Sequence, residues 1–283
     1  MKASGVIAAV VLGLIVRVFA GQVLPYLNVD SPADTDNLSA IIQYAVMFGL
    51  GAIVARQARV STRTVFGKRI NPEHLVIGTW FAILLLMLTC GINALATWIV
   101  AQFRLEFAYR FWHFHEATYY VSLPATSFCF LIVAQFICAP IVEEFLFRGL
   151  LFRAWLRFGA LNALIGVATL FTLLHYERHY WITTFVFSCI LSILYLKYNS
   201  LWVNIVAHTA NNIIAFTVQY YFDFHWTRPI THLSQIKYWI PEMGMLVISV
   251  PMLVLFMVRT SSLFTHLASQ PFLQPSLDAR ERT

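Results

Sequence analysis

Charged side chains are scarce in this sequence of 283 residues: Asp, Glu, Lys and Arg together make up only 11% of it, whereas 59% of the residues are hydrophobic. The mean hydropathy is +0.71. A chain with so few charged residues cannot cover a soluble globule with polar surface. The composition therefore predicts an integral membrane protein.

Cysteine is also rare, and its placement argues against a disulfide-stabilised fold. All four cysteines lie in apolar segments without close metal-type spacing, and such thiols usually pack as small apolar side chains. They are Cys90, Cys129, Cys138 and Cys189.

Long apolar segments with few charges predict helices that cross a membrane. A bilayer core about 30 Å thick needs roughly 20 apolar residues per helix. We therefore predict an all-α, polytopic membrane protein with about eight transmembrane helices. Their predicted ranges are 4–26, 38–56, 75–103, 120–147, 159–176, 179–197, 200–222 and 239–258.

Lys and Arg collect in loops that alternate with acidic ones, and this pattern predicts the orientation. The loop 27–37 carries three aspartates and no basic residue. The positive-inside rule assigns the basic loops, and with them both termini, to the cytoplasm. This topology explains the net charge of +6, so no nucleic-acid partner is expected. The basic loop residues are Arg56, Arg59, Arg63, Lys68, Arg69, Arg148, Arg153 and Arg157.

Two adjacent glutamates and an arginine interrupt the fourth predicted span, in the stretch EEFLFRGLLF from 143 to 152. Arg148 is four residues beyond Glu144, so their side chains meet on one helix face. Glu143 points about 100° away from Glu144. Arg148 would then hold Glu144, and Glu143 would be free to accept a proton. The alternative is a cluster of charges where a helix ends at the membrane surface.

Polar residues on two later spans favour a site over such a cluster, because ionisable groups within a membrane usually face the bundle interior or an aqueous cavity. FTLLH ends at His175, and HTANN begins at His208 and ends at Asn212 on the same helix face. Glu143 and His175 each lie sixteen residues from Gly159. An antiparallel hairpin that turns at Gly159 would therefore bring them to the same depth.

The stretches EEFLFR (143–148), FTLLH (171–175) and HTANN (208–212) resemble the EExxxR, FxxxH and HxxxN motifs of one family. It is the family of type II CAAX prenyl proteases and bacteriocin-processing proteins, a group of intramembrane endopeptidases. Each motif alone is weak, but all three in order on successive helices form a fairly specific signature. The resemblance covers about residues 120–222.

The resemblance implies that an activated water hydrolyses a peptide bond of a membrane-associated protein or peptide. The bilayer is the other expected partner, and the oligomeric state stays open. In the implied mechanism, Glu143 and His175 would activate the water. Glu144 and Arg148 would orient that pair. His208 and Asn212 would donate hydrogen bonds to the oxyanion.

This mechanism requires no cofactor, but two alternatives remain. In a zinc-dependent version, Glu143, His175 and His208 would bind the metal. In a non-proteolytic version, the protein would be a membrane scaffold, an immunity protein or a transporter, although the spans show no evident repeat of the kind that many transporters carry.

The resemblance and the spans divide the chain into four predicted regions in a bacterial inner membrane. Residues 1–119 form three N-terminal spans with their loops, and 120–222 form the catalytic helices. Residues 223–258 form an outer loop and the last span, and 259–283 form a flexible cytoplasmic tail.

Overall fold

The computed structural model of the protein describes residues 2–27, 29, 31–112, 124–175, 181–222 and 228–269. In these residues every regular element is a helix, and one isolated bridge joins Gly67 to Ser200. The predicted all-α fold is confirmed. The helices are α1 (Ala3–Val23), α2 (Pro32–Gln57), α3 (Thr62–Phe66), α4 (Pro72–Phe103), α5 (Leu105–Trp112), α6 (Ala125–Phe158), α7 (Ala160–Leu174), α8 (Trp181–Tyr198), α9 (Leu201–Phe222), α10 (Ile230–Leu233) and α11 (Ile240–Ser269).

Capping side chains define where two of the long helices begin. Ser31 accepts a hydrogen bond from the backbone N–H of Asp34 at the start of α2, and Asn71 does the same for His74 at the start of α4. A proline follows each cap, at a position where a helix needs no backbone donor. Local sequence therefore fixes the points at which the chain enters α2 and α4.

Seven of the described helices are long and apolar enough to cross a membrane: α1, α2, α4, α6, α8, α9 and α11. They support a multi-pass integral membrane protein. The predicted fifth span differs, because α7 has only 15 residues and extends about 22 Å, less than a bilayer core of about 30 Å. Its bounds nearly coincide with the predicted 159–176, a range of only 18 residues. Separately, α6 continues as a helix to Phe158, beyond the predicted end at 147.

Helices α6 and α7 form the predicted hairpin. Gly159 makes the turn with φ +98°, a backbone conformation that side-chain-bearing residues rarely adopt. Phe147 and Phe171, each twelve residues from Gly159, pack edge to face with ring centroids 5.1 Å apart. Equal distance from the turn therefore does give equal depth along this hairpin.

The loop between α2 and α4 packs against the turn between α8 and α9. The N–H of Lys68 donates to the carbonyl of Asn199 at 2.8 Å, and the hydroxyl of Tyr195 donates to the carbonyl of Val65 at 3.1 Å. Arg153 in turn donates to that hydroxyl at 2.8 Å. Basic loops that the sequence assigned to one side of the membrane thus lie at one end of the bundle, which we call the basic end. Its assignment to the cytoplasm stays a prediction.

The last helix extends beyond the predicted final span. Helix α11 continues to Ser269, so the first part of the predicted tail is helical. Residues 270–283, and the region boundary predicted at 119–120, lie outside the described residues. All four cysteines are free thiols, as their placement predicted.

One segment of α6 is enclosed on all sides, because every residue from Phe145 to Phe152 is buried. Helix α2 approaches it closely at Gly51, where an added Cβ would lie 2.5 Å from Leu146 and 2.9 Å from Phe145. Glycine at position 51 therefore sets the distance between α2 and α6.

We expect Gly51→Val to lower the free energy of unfolding by about 1–3 kcal/mol, because Leu146 and Phe145 leave no space for the new side chain. The matched control is Gly49→Val on the same helix, since an added Cβ at Gly49 meets nothing within 4 Å. Thermal unfolding in detergent measures both variants. Equal losses at the two positions would contradict the proposed close approach.

Candidate active site

Helix α6 changes its winding on both sides of the two glutamates. π-helical segments Ile132–Cys138 and Phe145–Phe152 flank the α-helical segment Ala139–Glu144. Such π-segments often occur at functional sites. Pro140 accounts for the first one, because proline has no N–H for the helical ladder and its ring crowds the preceding turn.

Helix α9 supplies donors to the backbone carbonyls next to this proline. The Asn212 amide donates to the carbonyl of Gln135 at 3.0 Å, and the Thr209 hydroxyl donates to that of Phe136 at 3.2 Å. In a π-helix the carbonyl of Gln135 would pair with the N–H of residue 140, which proline lacks. Asn212 therefore satisfies a carbonyl that Pro140 leaves without its helical donor.

Glu144 connects α6 to α9 from a fully buried position. Its Oε1 accepts hydrogen bonds from Arg148 Nη1 and His208 Nδ1, each at 2.9 Å. Its Oε2 accepts one from Asn204 Nδ2 at 3.3 Å. Since Asn204 precedes His208 by one helical turn, one face of α9 binds both oxygens of the carboxylate.

Arg148 is also fully buried and extends the connection to α7 and α8. Its Nη2 donates to the carbonyl and the hydroxyl of Ser188, at 3.0 and 2.8 Å. The guanidinium carbon lies 4.8 Å from the ring centroid of Phe171, a cation–π geometry. The predicted pairing of Glu144 with Arg148 is present, and it forms the centre of the four-helix region α6–α9.

Glu143 faces away from this ion pair, as the helical spacing predicted. Its Oε1 accepts a hydrogen bond from the Tyr44 hydroxyl of α2 at 2.8 Å. Its Oε2 is buried, has no hydrogen-bond partner among the described residues, and lies 4.0 Å from His208 Nε2. Because an ionised carboxylate only accepts, His208 donates to Glu144 from Nδ1, and Nε2 is the nitrogen that faces Glu143.

His175 lies at the end of α7 and is half-buried. Its Nδ1 bonds the carbonyl of Phe171 at 2.7 Å, which leaves Nε2 as the nitrogen available to other groups. Within the described part of the chain, neither His175 nor Asn212 makes a hydrogen bond to the glutamates. The structure thus joins four of the six predicted site residues directly: Glu143, Glu144, Arg148 and His208.

The proposed zinc ligands do not form a ready metal site. Among the described residues, no three His, Cys, Asp or Glu side chains are placed so that they could hold a metal ion together. The predicted trio of Glu143, His175 and His208 therefore does not fit a metal in this geometry, and we derive no step through one.

Three residues that contact the site were not predicted from the sequence. Asn204 and Ser188 bind the buried ion pair, and Tyr44 binds Glu143. Only Asn204 could have been suspected, because it precedes His208 by four residues on one helix face. Ser188 and Tyr44 lie on other helices, and only the three-dimensional packing brings them here.

Residues 124–214 match the model of a family described as type II CAAX prenyl endopeptidase Rce1-like. The matched segment contains all three motifs, so the resemblance found in the sequence is confirmed. The matched segment spans α6 to α8 and most of α9. Tyr44, on α2, lies outside the matched segment. Neither a search of curated proteins nor one of solved structures found a match.

We expect Arg148→Met to lower the free energy of unfolding by about 3–5 kcal/mol, because it leaves the Glu144 carboxylate buried without its counter-charge. Arg153→Met is the control, since Arg153 is only partly buried and loses a bond of about 1 kcal/mol to a hydroxyl. Thermal unfolding in detergent measures both variants. The double variant Glu144→Gln/Arg148→Met should recover part of the stability that Arg148→Met loses. If Arg148→Met lost no more stability than Arg153→Met, the structural role of the ion pair would be contradicted.

Proposed function

Because the chain carries a type II CAAX prenyl endopeptidase Rce1-like segment over residues 124–214, we propose that it is an intramembrane endopeptidase. Its substrate would be a membrane-associated protein or peptide, and its reaction the hydrolysis of one peptide bond. Glu143 would act as the general base. The family match supports a peptidase, and the geometry of Glu143 and His208 supports this choice of base.

The observation that carries the proposal is the pair of polar atoms between α6 and α9. Glu143 Oε2 and His208 Nε2 lie 4.0 Å apart, and the oxygen has no other hydrogen-bond partner among the described residues. This separation is short enough for one water molecule to bridge both atoms at hydrogen-bond distances of about 2.8 Å. Because Oε2 is enclosed in this structure, substrate binding would have to open space for that water. A general base must lie within such reach of the proton that it removes.

In the proposed reaction, Glu143 takes a proton from this water while the water oxygen bonds to the carbonyl carbon of the substrate. The tetrahedral intermediate then collapses. The C–N bond breaks, and Glu143 passes its proton to the leaving amine. Protonated His208, held at Nδ1 by Glu144, would donate from Nε2 to the oxyanion.

His175 and Asn212 keep their proposed roles through atoms that the observed bonds leave available. His175 would assist Glu143 through Nε2, because its Nδ1 bonds the Phe171 carbonyl. Asn212 has two amide N–H donors and uses one on Gln135, so the second can donate to the oxyanion. Arg148 would act only through Glu144, by holding its carboxylate in place.

We also propose that the basic end faces the cytoplasm of a bacterial inner membrane. The loop 58–71, Arg153 and the turn at Asn199 meet at this end. Basic residues near short loops favour the cytoplasmic side. This orientation would place both termini in the cytoplasm if α7 counts as one crossing.

Purified full-length protein in detergent, given a panel of membrane-tethered peptides, tests the proposed activity. We expect the wild type to cleave a peptide, and both Glu143→Gln and His208→Ala to lose at least about a hundredfold in rate, as for loss of general acid–base catalysis. Glu106→Gln is the matched control, because Glu106 is an exposed carboxylate on α5. It should cleave like the wild type.

Three results would contradict the proposal in different ways. Activity that a chelator removes and added zinc restores would show a metal-dependent reaction. Unchanged cleavage by folded Glu143→Gln would exclude Glu143 as the base. No cleavage by any folded variant, together with an unchanged cellular phenotype for Glu143→Gln, would indicate a scaffold, an immunity protein or a transporter.

A further inference from the structure

One face of α2 packs against the site-bearing helix α6, although α2 lies outside the matched segment. Tyr44 and Gly51 lie seven residues apart, about two helical turns, and both are buried, whereas Met47 between them packs against Gly13 of α1. Gly51 allows α2 to lie close against Leu146 of α6. Tyr44, two turns earlier on the same face, is thereby brought to the level of Glu143.

The Tyr44 hydroxyl is placed on one particular oxygen of Glu143. It donates to Oε1 at 2.8 Å, and both side chains are buried. A glutamate side chain has rotatable bonds, so one strong hydrogen bond to Oε1 also determines where Oε2 lies. Oε2 is the oxygen that faces His208 Nε2.

We propose that Tyr44 is a positioning residue for Glu143, and that α2 thereby completes the hydrolytic site. The inference rests on the proposed function for its catalytic part. Tyr44 does not touch the reacting atoms. It acts by holding Oε1, so that Oε2 stays directed at the space shared with His208.

Two observations indicate that the hydrogen bond positions Glu143, rather than only giving the buried Tyr44 hydroxyl an acceptor. The two glutamates are held from different sides: His208, Asn204 and Arg148 bind Glu144, whereas the only hydrogen bond to Glu143 among the described residues comes from Tyr44. In addition, the bond leaves one oxygen of Glu143 without a donor rather than satisfying both. Oε2 therefore keeps its acceptor capacity, which a general base needs to take a proton.

Steady-state cleavage by Tyr44→Phe is the first test, because phenylalanine keeps the ring and removes only the hydroxyl. We expect kcat to fall by about tenfold to a hundredfold, the equivalent of one hydrogen bond to a charged group, with KM within about twofold of the wild-type value. The control is Tyr195→Phe, which also removes a buried hydroxyl with hydrogen-bond partners, but at the basic end. Its kcat should stay within about twofold of the wild-type value.

A double-mutant cycle in thermal stability tests the contact without any substrate. Tyr44→Phe leaves Glu143 Oε1 without its donor, and Glu143→Leu leaves the Tyr44 hydroxyl without its acceptor, whereas the double variant removes both partners. We therefore expect the double variant to lose less in Tm than the sum of the two single losses. Additive losses would overturn the proposal whatever the activity.

The two measurements separate failure of this inference from failure of the proposed function. A Tyr44→Phe enzyme with wild-type kcat, or equal losses in kcat for Tyr44→Phe and Tyr195→Phe, would overturn the positioning role while proteolysis stands. If the wild type cleaves no peptide, the proposed function fails and the positioning role falls with it. A non-additive cycle would then assign the Tyr44–Glu143 bond to stability alone.

Discussion

The ion pair between Glu144 and Arg148 lies in the innermost part of the bundle, where both side chains are withdrawn from solvent. Removing two charges from water costs several kcal/mol each, and their attraction offsets this only if the remaining donors and acceptors also find partners. Ser188, Asn204 and His208 provide such partners from α8 and α9, and among the described residues only Nε of Arg148 in this pair is left without one. The arrangement of α6, α8 and α9 around one another therefore depends on this pair.

The orientation of His208 also follows from the pair. Arg148 binds the Glu144 carboxylate beside α9, and the same oxygen accepts from Nδ1 of His208. Because Nδ1 of His208 is bound to Glu144, its Nε2 is directed at Glu143. Glu143 belongs to the same helix as Glu144 but lies on another face of it. Two neighbouring glutamates thus contact different groups because a helix separates successive side chains by about 100°.

Local rules were enough to predict the parts of the site that one helix or one hairpin determines. The spacing of Glu144 and Arg148 predicted their pairing, and the equal distances from Gly159 predicted the hairpin that Phe147 and Phe171 confirm. The seven long apolar helices follow from composition and length. The end of α6 was placed too early, because Arg148 and Arg153 lie within the helix instead of marking its end.

Contacts between distant helices could not be predicted in the same way. Tyr44 and Ser188 are ordinary residues of apolar spans, and only packing places them beside Glu143 and Arg148. The hydrogen bond from Asn212 to the Gln135 carbonyl depends on the π-helical segment next to Pro140. No pattern in the sequence predicted that segment. Such features arise from the tertiary fold.

The distances along the chain between these contacts determine when the site can exist. Tyr44 is in the second long helix and His208 in the one from Leu201 to Phe222, so a growing chain contains only part of the site until nearly all of its helices have been synthesised. Glu144 and Arg148, by contrast, are neighbours in one helix and can enter the membrane already paired. These two buried charges are therefore neutralised within one helix, while the arrangement around Glu143 is completed only late in biosynthesis.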